Sequence, residues 1–455
     1  MLGTAAYLVL SQQSALMSIA WNKTVASLLW AAGLGLVPAV GLADEVTAFT
    51  PPFYESVARL APSGKLGEVL AREEIATDLP GAQAWRIAYV SSDMQDRKTI
   101  STGLVVAPKG PAPQGGRPIV AWGHGTTGTA QNCGPSQIVN PAQKLNEYFL
   151  IGGDSWTDYG IPAVETWLKQ GYVVVATDYQ GLGGGGAHQY SVDGVQARDV
   201  INSVRAVGAM GLSGGNRKAA IYGWSQGGAA AIAAASMPDD LAQIGTAFDG
   251  VDFVGFVGLA PDDVSVLAPQ GPLDDAVAQA FLSGVSKQFS ANVADFTHLT
   301  MTLWAQPHAF PGLKLTDVLT DDGARAIDEI MRGKCGHAAG DAIAYNFGSN
   351  YKSLLRDKPD NALAWAKALI AGGVAPVKPV GPVIAYFGTK DVTVPPIMSK
   401  LYREQMCKLG GNVGRVQLAG EIDHFHTPGA SEPLYTAWII DRIEGKPAPD
   451  GCAGD

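Results

Sequence analysis

The residues with the clearest chemical signature are Gly223-Trp224-Ser225-Gln226-Gly227. A serine flanked two residues away on each side by glycine fits a sharp turn in which a Cβ at either glycine would crowd the neighbouring backbone. Ala219 to Tyr222 before it reads as a buried strand, and Ala229 to Met237 after it as an Ala-rich helix. The turn would set Ser225 at a helix N-terminus, where free N–H groups and the helix dipole favour developing negative charge. That chemistry is nucleophilic attack on a carbonyl, and it needs a base and an orienting acid.

Candidates for both follow in the order serine, acid, histidine, each after a late apolar run. Asp391 sits in Gly388-Thr389-Lys390-Asp391, behind Val383 to Phe387. Gly420-Glu421-Ile422-Asp423-His424-Phe425-His426 follows the run ending at Leu418. His424 is the expected base, with His426 the competitor. Oxyanion donors are expected from the backbone N–H groups of Gln226 and of Thr126, with Thr127 next, in His124-Gly125-Thr126-Thr127-Gly128. His124 precedes the serine in the chain and is expected to brace this loop. Asp178, at another strand end, is expected to tie its loop by hydrogen bonds. His188, His298, His308 and His337 lack metal-ligand spacing, and no P-loop lysine follows Gly183 to Gly186. No metal or cofactor is required.

These residues need strand ends to hold them. After a presequence and a polar entry segment, short apolar runs alternate with helical patterns, the signature of a mostly parallel sheet flanked by helices. Strands are expected at Pro118 to Trp122, Tyr172 to Ala176, Ala219 to Tyr222, Val383 to Phe387 and Val413 to Leu418. A helix buries Ala197, Val200, Ile201, Val204 and Val207, and the last helix spans Pro433 to Ile443. Residues 261–377 break the rhythm with amphipathic helical patterns, such as Val277, Phe281, Leu282, Val285 and Phe289, and are expected to form an inserted helical cap. The α/β fold is thus an α/β-hydrolase with its catalytic domain in 44–260 and 378–455, and its cap in 261–377.

With 455 residues, 47% of them hydrophobic, the chain has material for a sizeable core. A net charge of -10 without a run of Lys or Arg argues against nucleic acid as a partner. Lys23, an uncharged stretch from Val25 to Leu42 and Ala39-Val40-Gly41-Leu42-Ala43 read as a signal peptide over 1–43, with 1–16 an extension before Met17. Gly33, Gly35, Pro38 and Gly41 argue against the alternative, an uncleaved membrane anchor. Export, to the periplasm or outside the cell, suits Cys133, Cys335, Cys407 and Cys452 as two disulfides.

The loop from His124 to Gly128, Asn132-Cys133-Gly134-Pro135-Ser136, Asp178-Tyr179-Gln180-Gly181-Leu182-Gly183 and the Ser225 turn together resemble the secretory lipase family, typified by fungal lipase A-like enzymes. The resemblance covers most of the chain from about Phe53. It implies a Ser225, Asp391, His424 triad, a helical cap, action on acylglycerols or simpler esters, and disulfides joining Cys133 to Cys335 and Cys407 to Cys452. The loop from His124 to Gly128 departs from the fungal pattern, which leaves the first oxyanion donor open. The expected function is therefore a secreted serine ester hydrolase, lipase or carboxylesterase, whose partner is an ester or lipid substrate, with no stable protein partner implied. A peptidase or amidase of the same fold would keep the triad but usually needs a gating domain or a pocket for a peptide terminus. A non-catalytic binding module usually lacks a triad residue.

Overall fold

The computed structural model describes residues 51–453. The presequence, with its expected signal peptide and cleavage after Ala43, lies outside them. Among the described residues, nine strands form one sheet in the order β1-β2-β3-β5-β4-β6-β7-β8-β9. They are β1 (Val69–Ile75), β2 (Ala82–Ser92), β3 (Lys98–Pro108), β4 (Ile119–Gly123), β5 (Val173–Thr177), β6 (Lys218–Trp224), β7 (Asp252–Leu259), β8 (Val383–Phe387) and β9 (Val413–Gln417). From β5 to β9 every pairing is parallel, whereas β1, β2, β3 and β5 pair antiparallel. The sheet is mostly parallel and flanked by helices, as expected of an α/β-hydrolase fold.

Two parts of the sheet differ from the sequence expectation. The segment read as a polar entry contains β1 to β3, several of whose polar residues are buried against partners. Arg86 of β2, for example, donates to the Ser136 and Ile138 carbonyls at 2.8 and 2.9 Å and pairs with Glu73 at 3.0 Å. β7 was not expected because Gly255 and Gly258 interrupt its apolar run. Both glycines are packing requirements: a Cβ at Gly255 would lie 2.7 Å from the Trp438 ring, and one at Gly258 would lie 3.0 Å from the Ile232 side chain.

Helices cover both faces. On one, α1 (Asp193–Ala209) and α2 (Gln226–Ala235) share a core with the sheet. The expected face of α1, from Ala197 to Val207, is fully buried there. Every residue of α2 is buried, and alanine and glycine let it lie close to the strands; a Cβ at Gly228 would be 2.9 Å from the Leu259 carbonyl.

Between β7 and β8, five helices have a core of their own: α3 (Asp275–Gln288), α4 (Val293–Ala309), α5 (Asp321–Gly333), α6 (Gly336–Phe347) and α7 (Ala362–Gly372). Phe281, Leu282 and Val285 of α3 pack with Phe296 and Met301 of α4 and Trp365 of α7 in this cluster. After it come α8 (Ile397–Lys408) and α9, which begins at Thr427, earlier than Pro433, and runs to Ile443. A proline in the first turn of a helix leaves no intrahelical donor unsatisfied, and Pro428 takes that position; Pro433 sits inside the helix. The core of the opposite sheet face includes Tyr435 and Ile439 of α9 with Trp167 and Tyr222. Cys133 is bonded to Cys335 and Cys407 to Cys452. Among the described residues, no helix is long and apolar enough to cross a membrane.

Candidate active site

Parallel strands leave their C-terminal edge open for side chains carried on the following loops. Ser225 follows β6, Asp391 follows β8 and His424 follows β9, so one edge of the sheet presents all three. The turn at Ser225 is forced by its neighbours. A Cβ at Gly227 would stand 2.0 Å from the Gly123 carbonyl oxygen, and one at Gly223 would stand 2.1 Å from the Gly227 carbonyl oxygen. Ser225 itself has φ 56° and ψ -118°, a conformation side-chain-bearing residues rarely adopt and one that costs about 1–3 kcal/mol. Its backbone is held against that strain on several sides. The N–H donates to the Leu259 carbonyl at 2.8 Å, and its carbonyl accepts from Ala229 at 3.0 Å and Asp262 at 3.2 Å.

His424 joins the other two. Its Nδ1 lies 2.7 Å from Asp391 Oδ2, and its Nε2 lies 2.9 Å from Ser225 Oγ. An ionised carboxylate only accepts, so Nδ1 carries the proton and donates it to Asp391, leaving Nε2 to accept from the serine hydroxyl. Asp391 is fixed in turn by Thr393 and Val394, whose N–H groups donate to Oδ1 at 3.0 and 2.8 Å. All three side chains are buried. His426 is placed elsewhere: its side chain is 60% exposed and pairs with Asp423 at 2.7 Å.

The loop after β4 presses against the serine turn. A Cβ at Gly125 would meet the Trp224 ring at 2.6 Å. His124 is buried, with Nδ1 2.6 Å from the Gly125 carbonyl and Nε2 3.3 Å from the Asp178 carbonyl. Burial pushes its pKa down to about 4, so it is neutral near pH 7 and ties the loop together. The Thr126 hydroxyl lies 2.8 Å from the Tyr190 hydroxyl. Gln226 starts α2 directly after the serine, and its side-chain Nε2 lies 3.0 Å from His188 Nε2. His188 Nδ1 in turn lies 2.7 Å from the Gln180 carbonyl. Burial lowers the His188 pKa to about 3, so the neutral ring donates through Nδ1 and accepts from the Gln226 amide through Nε2. Asp178 is a structural tie: it accepts from the Ser136 N–H at 2.9 Å and from the Thr102 hydroxyl at 2.8 Å.

Several groups near the triad, Asp262, Asp158, Glu147 and Phe149 among them, carry no sequence motif. Asp262 adjoins the serine turn, and burial pushes its pKa up to about 6, with His424 pulling the other way. Asp158 is buried and raised to about 7, again against the pull of His424. Glu147 is raised to about 8 by burial, then by Asp158 and Asp423. Phe149 packs on Phe425 at 4.6 Å between ring centres, and Phe425 and Trp224 flank the His424 ring at 5.4 and 5.1 Å. Trp224 and Phe425 stand in the motifs around Ser225 and His424, and His188 is one of several histidines without metal-ligand spacing. The others come from folding distant loops together, and no spacing announces them.

The segment between β7 and β8 is fastened to the same loop. Gly128 bridges Cys335, the Gly336 N–H donates to the Thr127 carbonyl at 2.9 Å, and the Thr129 hydroxyl donates to the Met331 carbonyl at 2.7 Å. A Cβ at Gly128 would come within 2.7 Å of Cys335 Cα, so glycine permits the approach.

A match to the secretory lipase family covers residues 155–260. Lipase 9 of Candida albicans is 26% identical over 299 residues, which span 63% of this chain and 59% of that protein. Lipase 5 of the same yeast is 22% identical over 90% of this chain and 84% of its own length. Among solved structures, Candida antarctica lipase A in its closed state superposes with a TM-score of 0.61 at 18% identity, covering 90% of this chain and 88% of that one. The rice cell wall degrading esterase LipA of Xanthomonas oryzae gives 0.58 at 18% identity, covering 83% and 98%. The chain is thus similar to the secretory lipase family over residues 155–260, to the yeast lipases over a longer stretch, and in its fold to a fungal lipase and a bacterial esterase.

Proposed function

We propose that this protein is a secreted serine hydrolase of carboxylic esters, acylglycerols among them, acting through Ser225, His424 and Asp391. One observation carries the reading: a hydrogen-bonded relay from Asp391 through His424 to a serine held on a strained, buried turn. In the first step His424 Nε2 takes the Ser225 proton as Oγ attacks the ester carbonyl. The imidazolium then passes that proton to the departing alcohol, leaving an acyl-enzyme. In the second step His424 takes a proton from water, the hydroxide attacks the acyl carbonyl, and the acid leaves as Ser225 regains its proton. Asp391 favours the imidazolium formed in each step, and Asp158 and Asp262 add to the negative potential around it as they ionise. The oxyanion is assigned to the backbone N–H groups of Gln226 and Thr126. His188 and Tyr190 hold the side chains of those two residues.

Residues 261–377 act as the cap over this edge. Export is supported by the family and by the two disulfides, which suit an oxidising compartment. The decisive experiment pairs Ser225→Ala with a fluorophosphonate probe. The variant should lose about four to six orders of magnitude in ester turnover, and the probe should label Ser225 in the wild type. Labelling at another residue, or near-normal turnover by the alanine variant, would overturn the assignment. Rates on esters of rising chain length, followed through the solubility limit, separate an esterase from a lipase, because only a lipase gains activity at the interface.

A further inference from the structure

Between the loop after β4 and helices α4 and α6 lies a cavity of about 350 Å³. Thr126, Phe149 and Met301 line it, so it opens beside the oxyanion loop and has a largely apolar wall. Two histidines interrupt that wall, His298 from α4 and His337 from α6.

His337 is clamped by aromatic rings. Tyr148 stacks on it with ring centres 4.0 Å apart and planes within 13° of parallel, and Phe149 meets it edge-on at 4.2 Å. Its Nε2 is buried, with no partner among the protein's polar atoms. Burial first, and then His298, lower the His337 pKa to about 4, so the ring is neutral near pH 7. A buried imidazole nitrogen without a partner destabilises the fold, and folded proteins leave few such atoms unexplained. His298 lies within electrostatic reach of both His337 and His424. Its Nδ1 is 2.8 Å from the Ala294 carbonyl. The pKa of His298 is also lowered by burial, so the neutral ring donates through Nδ1 and Nε2 is left as a bare acceptor.

We propose that this cavity receives a neutral, hydroxyl-bearing portion of the ester substrate, and that His337 and His298 select for that hydroxyl. A hydroxyl is the group that fits both rings, since it can donate to the bare nitrogen of His298 and answer His337 Nε2 in either tautomer. A plain alkyl chain fills the apolar wall but leaves His337 Nε2 unpaired. A carboxylate would be stripped of water beside Asp341, which also lines the cavity, and no positively charged side chain lines the cavity to compensate. The inference rests on the ester-hydrolase reading and adds a substrate preference to it.

Matched esters of equal length, with and without a hydroxyl, test it in two series. One carries the hydroxyl on the acyl chain of a p-nitrophenyl ester, and the other on the alcohol of an acetate ester. The wild type should favour the hydroxylated member by tenfold or more in kcat/KM in one series, which also tells which half of the ester enters the cavity. His337→Phe keeps a ring between Tyr148 and Phe149 but removes the nitrogen, and should bring that ratio close to one. Equal rates within both series in the wild type would overturn the proposal, water then being the partner of Nε2. A preference that survives both His337→Phe and His298→Leu would overturn it too. Failure of the ester-hydrolase reading looks different, because the wild type would then turn over neither member of either series.

Discussion

The serine turn and the fastening of residues 261–377 sit against the same loop and are held by opposite means. At the turn, contacts are local in sequence or made backbone to backbone, and the glycines at 123, 223 and 227 pack where no Cβ fits. At the fastening, a covalent bond spans 202 residues of sequence, backed by a few hydrogen bonds between the loop and the helices around Cys335. The turn therefore keeps its geometry as long as the sheet is folded. The fastening keeps its geometry as long as the Cys133–Cys335 bond is intact. Damage at the first should remove chemistry outright, whereas damage at the second should lower stability and loosen the donor loop.

The sharpest way to break this comparison is at the two histidines that follow β9. They are two residues apart, yet one reaches Ser225 while the other pairs with Asp423 at the surface. His424→Ala should cost as much turnover as Ser225→Ala, because members of one relay fail together. His426→Ala should retain most of the wild-type kcat/KM. Steady-state kinetics on a soluble ester decides it, and the reverse pattern would move the base to His426 and detach function from the observed relay.

A smaller effect is expected at the tether. Closing a loop of 202 residues stabilises the fold by about 5 kcal/mol on the chain-entropy view, less any strain. A Cys133→Ser, Cys335→Ser variant should therefore melt well below the wild type. It should also lose several-fold in kcat, because Thr126 stands between the tethered residues and the serine turn. Loss of melting temperature with an unchanged kcat would mean that the donor loop is held by the sheet alone.

The same contrast explains what could be read from the sequence. The turn around Ser225, the acid at Asp391 and the His424 to His426 loop are legible because each sits at the end of an apolar run, where a local pattern carries the signal. β1 to β3 were not legible, since their buried Arg86, Ser101 and Thr102 find partners only once distant segments meet. β7 was hidden by Gly255 and Gly258, whose roles depend on Trp438 and Ile232 far along the chain. At the site, His188 beside Gln226 and the carboxyl groups around His424 escaped for the same reason: folding creates those pairs, and no spacing encodes them.

Those carboxyl groups support the finest test of the comparison. Glu147 lies within electrostatic reach of Asp158 and Asp158 within reach of His424, and Glu147 Oε2 is buried without a protein partner. Their folded-state pKa values, about 8 and about 7, stand well above ordinary carboxyl values because burial penalises the ionised form. A group raised on folding binds more protons in the folded state, so it stabilises fully below its unfolded pKa, and that stability drains away as pH rises through the folded value. For Glu147 the window runs from about pH 4.5 to about 8. Asp178, Asp199, Asp262 and Asp263, each raised to about 6, act in the same direction over the lower part of that window. The wild type should therefore lose melting temperature steadily from pH 5 to pH 8.5. Glu147→Gln, which stays neutral throughout, should flatten the upper part of the decline and gain about 1–3 kcal/mol over the wild type at pH 8.5. The variant's advantage should vanish near pH 4.5, where the native glutamate is protonated in both states. Parallel melting curves for wild type and variant across the range would show that Glu147 ionises freely in the folded protein.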